Sequence, residues 1–155
     1  MSDSEVGKKL VALAQLDIDA VRAYSQAIEK IDVQEIRGRL ENFRSDHERH
    51  IRDLAPCITQ YGEKPPEHSP DLKGFFIEGM TALRSVTGTE GALKAMRMNE
   101  QLTNARYEAA LKAELAPQVR QVVERNRQDE QRHLQYIERC LENDSWKTAG
   151  SSTRV

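Results

Sequence analysis

Glu130 and His133 lie three residues apart within the charged segment Asp129-Glu130-Gln131-Arg132-His133. Residues at this spacing project from the same face of a helix. A carboxylate and an imidazole so placed form half of one known arrangement that holds two metal ions in the core of a four-helix bundle. Taken alone, a charged pentapeptide is more typical of a solvated helix face. However, residues 46–50 read Asp-His-Glu-Arg-His, which repeats the Asp, Arg and His at the same offsets.

The two segments belong to a longer internal repeat with an offset of 83 residues. Without a gap, residues 10–57 align with residues 93–140, and eleven of the 48 positions are identical. The matches include the pairs Tyr24/Tyr107, Arg37/Arg120, Asp46/Asp129, Arg49/Arg132, His50/His133 and Cys57/Cys140. Helical proteins share composition, which explains part of this identity. Polar matches at one constant offset indicate a duplicated pair of helices.

The same offset pairs Asp17 with Glu100 and His47 with Glu130. Tyr24 follows Asp17 by seven residues and Tyr107 follows Glu100 by seven, so each acid shares a helix face with a tyrosine. These faces are otherwise apolar. An unpaired carboxylate buried there would cost several kcal/mol unless it is neutralised, paired or bound to a cation.

A metal site explains these buried polar groups together. The predicted ligands are Asp17, His47, His50, Glu100, Glu130 and His133. Each has a simpler explanation by itself. An acid can form a salt bridge with a neighbouring Arg, a histidine can be a hydrogen-bonded core residue, and a buried tyrosine can be core with a partnered hydroxyl.

Helical periodicity places these residues on four long helices, at about residues 4–30, 33–61, 89–114 and 117–143. Capping boxes at Ser2/Glu5 and Asp32/Glu35 would open the first two, Gly62 would end the second, and Pro117 would begin the fourth. A short extra helix is predicted at about 70–86, after Ser69-Pro70, in a long crossover between the second and third helices. No segment alternates with the period of a strand. The prediction is an all-α domain over residues 1–146 with a disordered tail at 147–155.

Composition excludes several classes of protein. A chain of 155 residues with a net charge of −2 has no basic field for nucleic acid. No apolar run is long enough for a membrane span, and the first residues lack a signal-peptide pattern, so a cytoplasmic location is expected. Cys57 and Cys140 should lie on the order of 20 Å apart, too far for a disulfide.

These residues resemble the ferritin-like superfamily of di-iron carboxylate proteins, and most closely an uncharacterised group of bacterial ferritin-like four-helix proteins. The acid–tyrosine pairs look like the ferritin pattern on its first and third helices. The segment Asp129–His133 is similar to the Asp-Glu-x-Arg-His box of di-iron oxygenases. The resemblance implies an antiparallel four-helix bundle over about residues 1–143.

The resemblance also implies roles for individual residues. Glu130 would be a bridging carboxylate, Asp17 and Glu100 terminal ligands, and His50 and His133 one imidazole per metal. Asp46 and Asp129 would accept hydrogen bonds from the imidazoles and be held by Arg49 and Arg132. Tyr24 and Tyr107 would be catalytic, donating a hydrogen bond or an electron. These eleven residues, with His47, make up the predicted site.

The chain departs from the family pattern at His47, where the family has a second bridging carboxylate. Asp17 is also one methylene shorter than the usual Glu. Whether His47 coordinates is left open. Three carboxylates and three imidazoles suit two iron ions, with manganese or zinc as alternatives.

The expected function is Fe(II) oxidation with O2 or peroxide, in iron handling or oxidative stress. The sequence has no Cys-x-x-Cys motif of the kind that supplies electrons in a rubrerythrin. The alternative is a metal-free or structurally metallated, stress-associated bundle that acts through self-association or protein partners. A homodimer is a reasonable default.

Overall fold

The computed structural model describes residues 2–67 and 87–147. These residues form four long helices: α1 (Asp3–Glu29), α2 (Gln34–Gln60), α3 (Gly88–Ala110) and α4 (Pro117–Glu142). No strand occurs in either described range, so the predicted all-α fold is confirmed. The extra short helix predicted at 70–86 lies outside the described residues, as do residues 148–155 of the predicted tail.

Local sequence signals set several of the helix ends as predicted. At the start of α1, the side chain of Ser2 accepts a hydrogen bond from the Glu5 backbone N–H, and the Glu5 carboxylate accepts one from the Ser2 backbone N–H. Pro117 begins α4, where its missing N–H costs no helical hydrogen bond. Gly62, just after α2, has φ +82°, a left-handed conformation that glycine adopts without strain.

Two predicted helix ends were wrong. Val33, not Asp32, precedes α2, and no side chain caps that helix. Asp32 instead accepts a 3.3 Å hydrogen bond from the hydroxyl of Thr89, near the start of α3. The third helix ends at Ala110 rather than near 114, because the next residues form tighter turns and Arg120 caps two of their carbonyls, those of Leu111 and Ala113.

Contacts between the helices fix an antiparallel bundle. Asp17 contacts Tyr107 and Tyr24 contacts Glu100, so α1 and α3 run in opposite directions. The same crossed order relates α2 and α4, where His50 contacts Asp129 and His133 contacts Asp46. The short loops after α1 and α3 make each consecutive pair an antiparallel hairpin. Consequently α2 and α3 are parallel, and Gln60 and Gly88 lie at opposite ends of the bundle.

The interior contains two apolar clusters with a polar layer between them. One cluster lies towards the α1–α2 loop and includes Phe43, Leu93 and Ile137, with Trp146 packed against it. The other lies towards the α3–α4 loop and includes Leu10 and Leu54. Both clusters exclude water from the polar layer, which raises the cost of any unpaired charge there.

The cysteines fall in different clusters. Cys57 belongs to the cluster near the α3–α4 loop and Cys140 to the one near the α1–α2 loop, and both are free. This arrangement agrees with their predicted separation. No helix within residues 2–67 and 87–147 is long and apolar enough to cross a membrane.

Candidate metal centre

The polar layer brings together all six residues that the sequence predicted as metal ligands. Every one of them is completely buried. The helix α1 contributes Asp17, α2 contributes His47 and His50, α3 contributes Glu100, and α4 contributes Glu130 and His133. Their convergence follows from the helical register: each lies on the core-facing stripe of its helix, midway along it.

These side chains form two groups in the described part of the chain, each with four potential ligand atoms within 4.8 Å of one another. One group consists of Asp17, His47, His50 and Glu130. The other consists of His47, Glu100, Glu130 and His133. Because carboxylate oxygens and imidazole nitrogens are ligands for first-row transition metals, each group could hold a metal ion.

Distances within the first group match those between ligands of a single ion. Oδ1 of Asp17 lies 2.7 Å from Nδ1 of His47 and 3.0 Å from Nδ1 of His50. Nδ1 of His50 lies 3.2 Å from Oε1 of Glu130. With metal–ligand bonds of roughly 2.1 Å, neighbouring ligand atoms of one ion are about 3 Å apart.

The second group is similar but slightly more open. Oε1 of Glu100 lies 3.1 Å from Nε2 of His47 and 3.3 Å from Nδ1 of His133. The other oxygen of the shared glutamate, Oε2 of Glu130, lies 3.5 Å from Nδ1 of His133. Glu130 therefore presents one oxygen to each group, which is the arrangement of a bridging carboxylate.

Each tyrosine donates to the acid of the other hairpin. Tyr107 on α3 donates a 2.6 Å hydrogen bond to Oδ2 of Asp17 on α1. Tyr24 on α1 donates to Oε1 of Glu100 on α3. Burial, together with the neighbouring carboxylate, raises the pKa of both phenols well above the usual value, so both remain protonated donors.

The outer nitrogens of two imidazoles are held by acids near the surface. Nε2 of His50 lies 2.9 Å from Asp129, and Nε2 of His133 lies 2.8 Å from Asp46. An N–H on Nε2 that donates to these carboxylates leaves Nδ1 free to bind a cation inside the layer. The structure thus places Asp46 and Asp129 beside the imidazoles, as the resemblance implied.

Two arginines pair with these outer acids. Arg132 contacts Asp46 at 2.8 Å and Asp129 at 3.0 Å. Arg49 contacts the same two carboxylates, Asp46 at 3.3 Å and Asp129 more closely. Burial opposes charge on both aspartates, but the hydrogen bond with His133 lowers the pKa of Asp46 and that with His50 lowers the pKa of Asp129. Arg132 lowers the pKa of both further and so helps keep them charged acceptors.

Three carboxylate oxygens in the layer accept no hydrogen bond from any residue that the structure describes: both oxygens of Glu130 and Oε2 of Glu100. Imidazole nitrogens of His47 and His50 lie 3.3 Å and 3.2 Å from Glu130, and one of His133 lies 3.5 Å away, but none forms a hydrogen bond with it. Burial and the adjacent Glu100 raise the pKa of Glu130 well above its usual value. A divalent cation would fit these oxygens because it satisfies them directly and offsets the clustered negative charge.

Protonated histidines neutralise the remaining acids when the layer holds no metal. Burial opposes charge on Asp17, but His50 and His47 outweigh it and lower the Asp17 pKa to about 2. Burial also opposes a charged His47, yet hydrogen bonds to Asp17 and Glu100 raise the His47 pKa to about 10. A metal ion entering this layer would therefore have to displace protons.

Two features of the site were not predicted from the sequence. The amide of Asn104 donates to the backbone carbonyl of Glu100 at 2.7 Å and to that of Glu130 at 3.0 Å, which joins α3 to α4 at the site. The ring of Phe43 stacks on His133 with centroids 4.2 Å apart. Asn104 lies four residues after Glu100, and this spacing on one helix face was the available signal.

Comparison with known proteins gives a family but no activity. No curated protein matches the chain. The family described as "Domain of unknown function (DUF2383)" matches residues 5–113, which include most of α1 and all of α2 and α3 but not Glu130 or His133 of α4. Since the match covers more than half of the chain, this protein belongs to the DUF2383 family.

Proposed function

We propose that this chain is a ferritin-like protein that binds two iron ions in its polar layer and oxidises Fe(II) with O2 or peroxide. The observation that carries the proposal is Glu130. It is completely buried, has no hydrogen-bond partner among the described residues, and presents one oxygen to each of two groups of potential ligands. A group this costly to bury fits a site built for a cation better than it fits a purely structural core.

The donor set suits iron. Asp17 and His50 would hold one ion, Glu100 and His133 the other, and Glu130 both. Carboxylate and imidazole ligands are those of non-haem iron sites, and manganese or zinc would fit the same set. Bound iron would supply one-electron chemistry with O2 or peroxide.

The surrounding residues would orient the ligands and manage protons. Asp46 and Asp129 hold the outer nitrogens of His133 and His50, which fixes the ring orientations. Tyr24 and Tyr107 keep protonated hydroxyls against Glu100 and Asp17. Each could donate a hydrogen bond, or a proton with an electron, next to the metals. The apolar clusters on both sides would exclude water from the reaction.

Anaerobic addition of Fe(II), followed by O2, tests the proposal. The wild-type protein should develop a near-ultraviolet ferric charge-transfer band, and Glu130→Ala should not. Glu124→Ala, an exposed change on the same helix, should behave as wild type, and circular dichroism should show that both variants remain helical. Identical spectra for wild type and Glu130→Ala would refute the iron-oxidation proposal.

One observation favours the alternative of a metal-free or structurally metallated bundle that acts through self-association or partners in a stress response. Asp17 already receives hydrogen bonds from Tyr107 and the histidines without a cation. Elemental analysis of protein expressed in iron-supplemented medium separates the two functions. A clearly substoichiometric metal content would favour the alternative.

A further inference from the structure

His47 differs from the other two site histidines in how its ring nitrogens are placed. In His50 and His133, Nδ1 faces the layer while Nε2 faces an aspartate near the surface. In His47, both nitrogens face buried acids within the layer. Nδ1 lies 2.7 Å from Oδ1 of Asp17, and Nε2 lies 3.1 Å from Oε1 of Glu100. In the described part of the chain, neither nitrogen of this ring contacts a carboxylate near the surface.

The two nitrogens of His47 therefore point into different groups of ligands. Asp17 belongs to one group and Glu100 to the other, and His47 is a member of both. Within residues 2–67 and 87–147, Glu130 alone is likewise a member of both groups, with one oxygen on each side. The internal repeat aligns these two residues, since 47 and 130 differ by the common offset of 83. The chain thus places an imidazole and a carboxylate at equivalent positions between the two groups.

We propose that His47 bridges the two metal ions, with Nδ1 bound to one and Nε2 bound to the other. This inference rests on the proposed two-metal function. A neutral imidazole has one free lone pair, so it can bind only one ion. When the second ion binds, the remaining N–H bond breaks, a metal–nitrogen bond forms, and the proton leaves to solvent. No oxidation state changes in this step.

The bridge accounts for the charge of the site. Asp17, Glu100 and Glu130 supply three negative charges, and the bridging imidazolate supplies a fourth. The imidazolate thus supplies at position 47 a negative charge like the one that the aligned carboxylate of Glu130 supplies.

Nuclear magnetic resonance of the full chain tests the bridge directly. The probe is Cd²⁺ enriched in an NMR-active isotope, added to protein whose histidines carry NMR-active nitrogen. The His47 ring should show one-bond nitrogen–cadmium couplings to two different cadmium ions, one through each nitrogen, and should lack an N–H proton. The rings of His50 and His133 should each couple to one cadmium through Nδ1 and keep a proton on Nε2.

Variants at position 47 provide the controls. In the His47→Gln variant both couplings should disappear, which assigns them to the His47 ring. The variant should also bind the second ion more weakly, by about tenfold or more. His47→Glu should still bind two ions, now between carboxylates. If two cadmium ions bind but His47 couples to one and keeps its N–H, the bridge is refuted while the two-metal site stands. If neither Cd²⁺ nor iron binds at the layer, both the bridge and the proposed function are refuted.

Discussion

The hydroxyl of Tyr107 donates a 2.6 Å hydrogen bond to Oδ2 of Asp17, a carboxylate on the other hairpin of the bundle. Tyr24 on the first hairpin donates in the same way to Glu100 on the second hairpin. Both hydroxyls and both carboxylates are buried, so no water competes for these bonds. The two hairpins therefore depend on each other for the partners of their buried acids.

Replacing Tyr107 by phenylalanine removes a donor from Asp17 without changing the size of the ring. We expect the free energy of unfolding of the metal-free protein to fall by about 1–3 kcal/mol, because a buried acceptor loses its partner. Urea denaturation after chelator treatment measures the change. Tyr24→Phe is the matched variant at the equivalent position and should cost a similar amount. Unchanged stability in both variants would show that these bonds contribute little.

Glu130→Gln should separate stability from metal binding. In the metal-free protein, Glu130 must be protonated to remain buried, since its pKa lies well above the usual value. The amide needs no such protonation, so the variant should be more stable at neutral pH by about 1–3 kcal/mol. It should also bind less metal. Glu124→Gln, an exposed control on the same helix, should change neither quantity; a destabilised Glu130→Gln would contradict the expectation.

The stability of the metal-free protein should fall as the pH rises. The His47 pKa is raised from 6.5 to about 10, so its contribution is complete below pH 6.5 and is lost as the pH approaches 10. The raised pKa of Glu130 acts in the same direction. We expect the free energy of unfolding to fall by a few kcal/mol between pH 6.5 and about pH 10.

Chemical denaturation of chelator-treated protein at several pH values measures this slope. His47→Gln should flatten it, because that side chain does not titrate. Acid should destabilise the protein separately, since the lowered pKa of Asp17 stabilises the fold above its ordinary value of 3.8 and this contribution is lost as the pH falls towards 2. Stability that stays constant from neutral to alkaline pH in the wild type would disprove the assignment of a charged His47.

Asp46→Asn and Asp129→Asn should weaken metal binding although neither residue is a proposed ligand. Each loses the charged acceptor that holds the outer nitrogen of an imidazole, His133 in the first case and His50 in the second. We expect affinity to fall about 10–100-fold for the ion bound by that imidazole. Competition with a chromophoric chelator measures it. Glu48→Gln, an exposed neighbour on α2, should have wild-type affinity. Equal affinity in all three variants would mean that the aspartates do not support the ligands.

The sequence predicted which residues meet in the layer because that information lies in single helices. The seven-residue spacing of Asp17 and Tyr24, and the three-residue spacing of Glu130 and His133, each fix a common helix face. The repeat then showed that both hairpins carry the same pattern. The approximate helix positions followed from periodicity, Pro117 and Gly62, whereas the antiparallel bundle was implied by the family resemblance.

The partners of these residues could not be predicted in the same way. The bond between Tyr107 and Asp17 joins residues on different helices, and it depends on the rotation and axial position of one helix against the other. The direction of the His47 ring depends on the same packing. Asp32 shows the same difficulty at the end of a helix. Its local sequence indicated a capping box with Glu35, but its side chain instead accepts a hydrogen bond from Thr89 on another helix.

The crossed pairs also determine how far one hairpin can slide along the other. Apolar side chains such as leucine tolerate a shift of one helical turn, about 5.4 Å, because another apolar side chain takes the vacated space. The bonds Tyr107–Asp17, Tyr24–Glu100, His50–Asp129 and His133–Asp46 would all break together in such a shift. The polar layer thus determines the axial register of the two hairpins, because it selects one alignment from several that the apolar surfaces alone would allow.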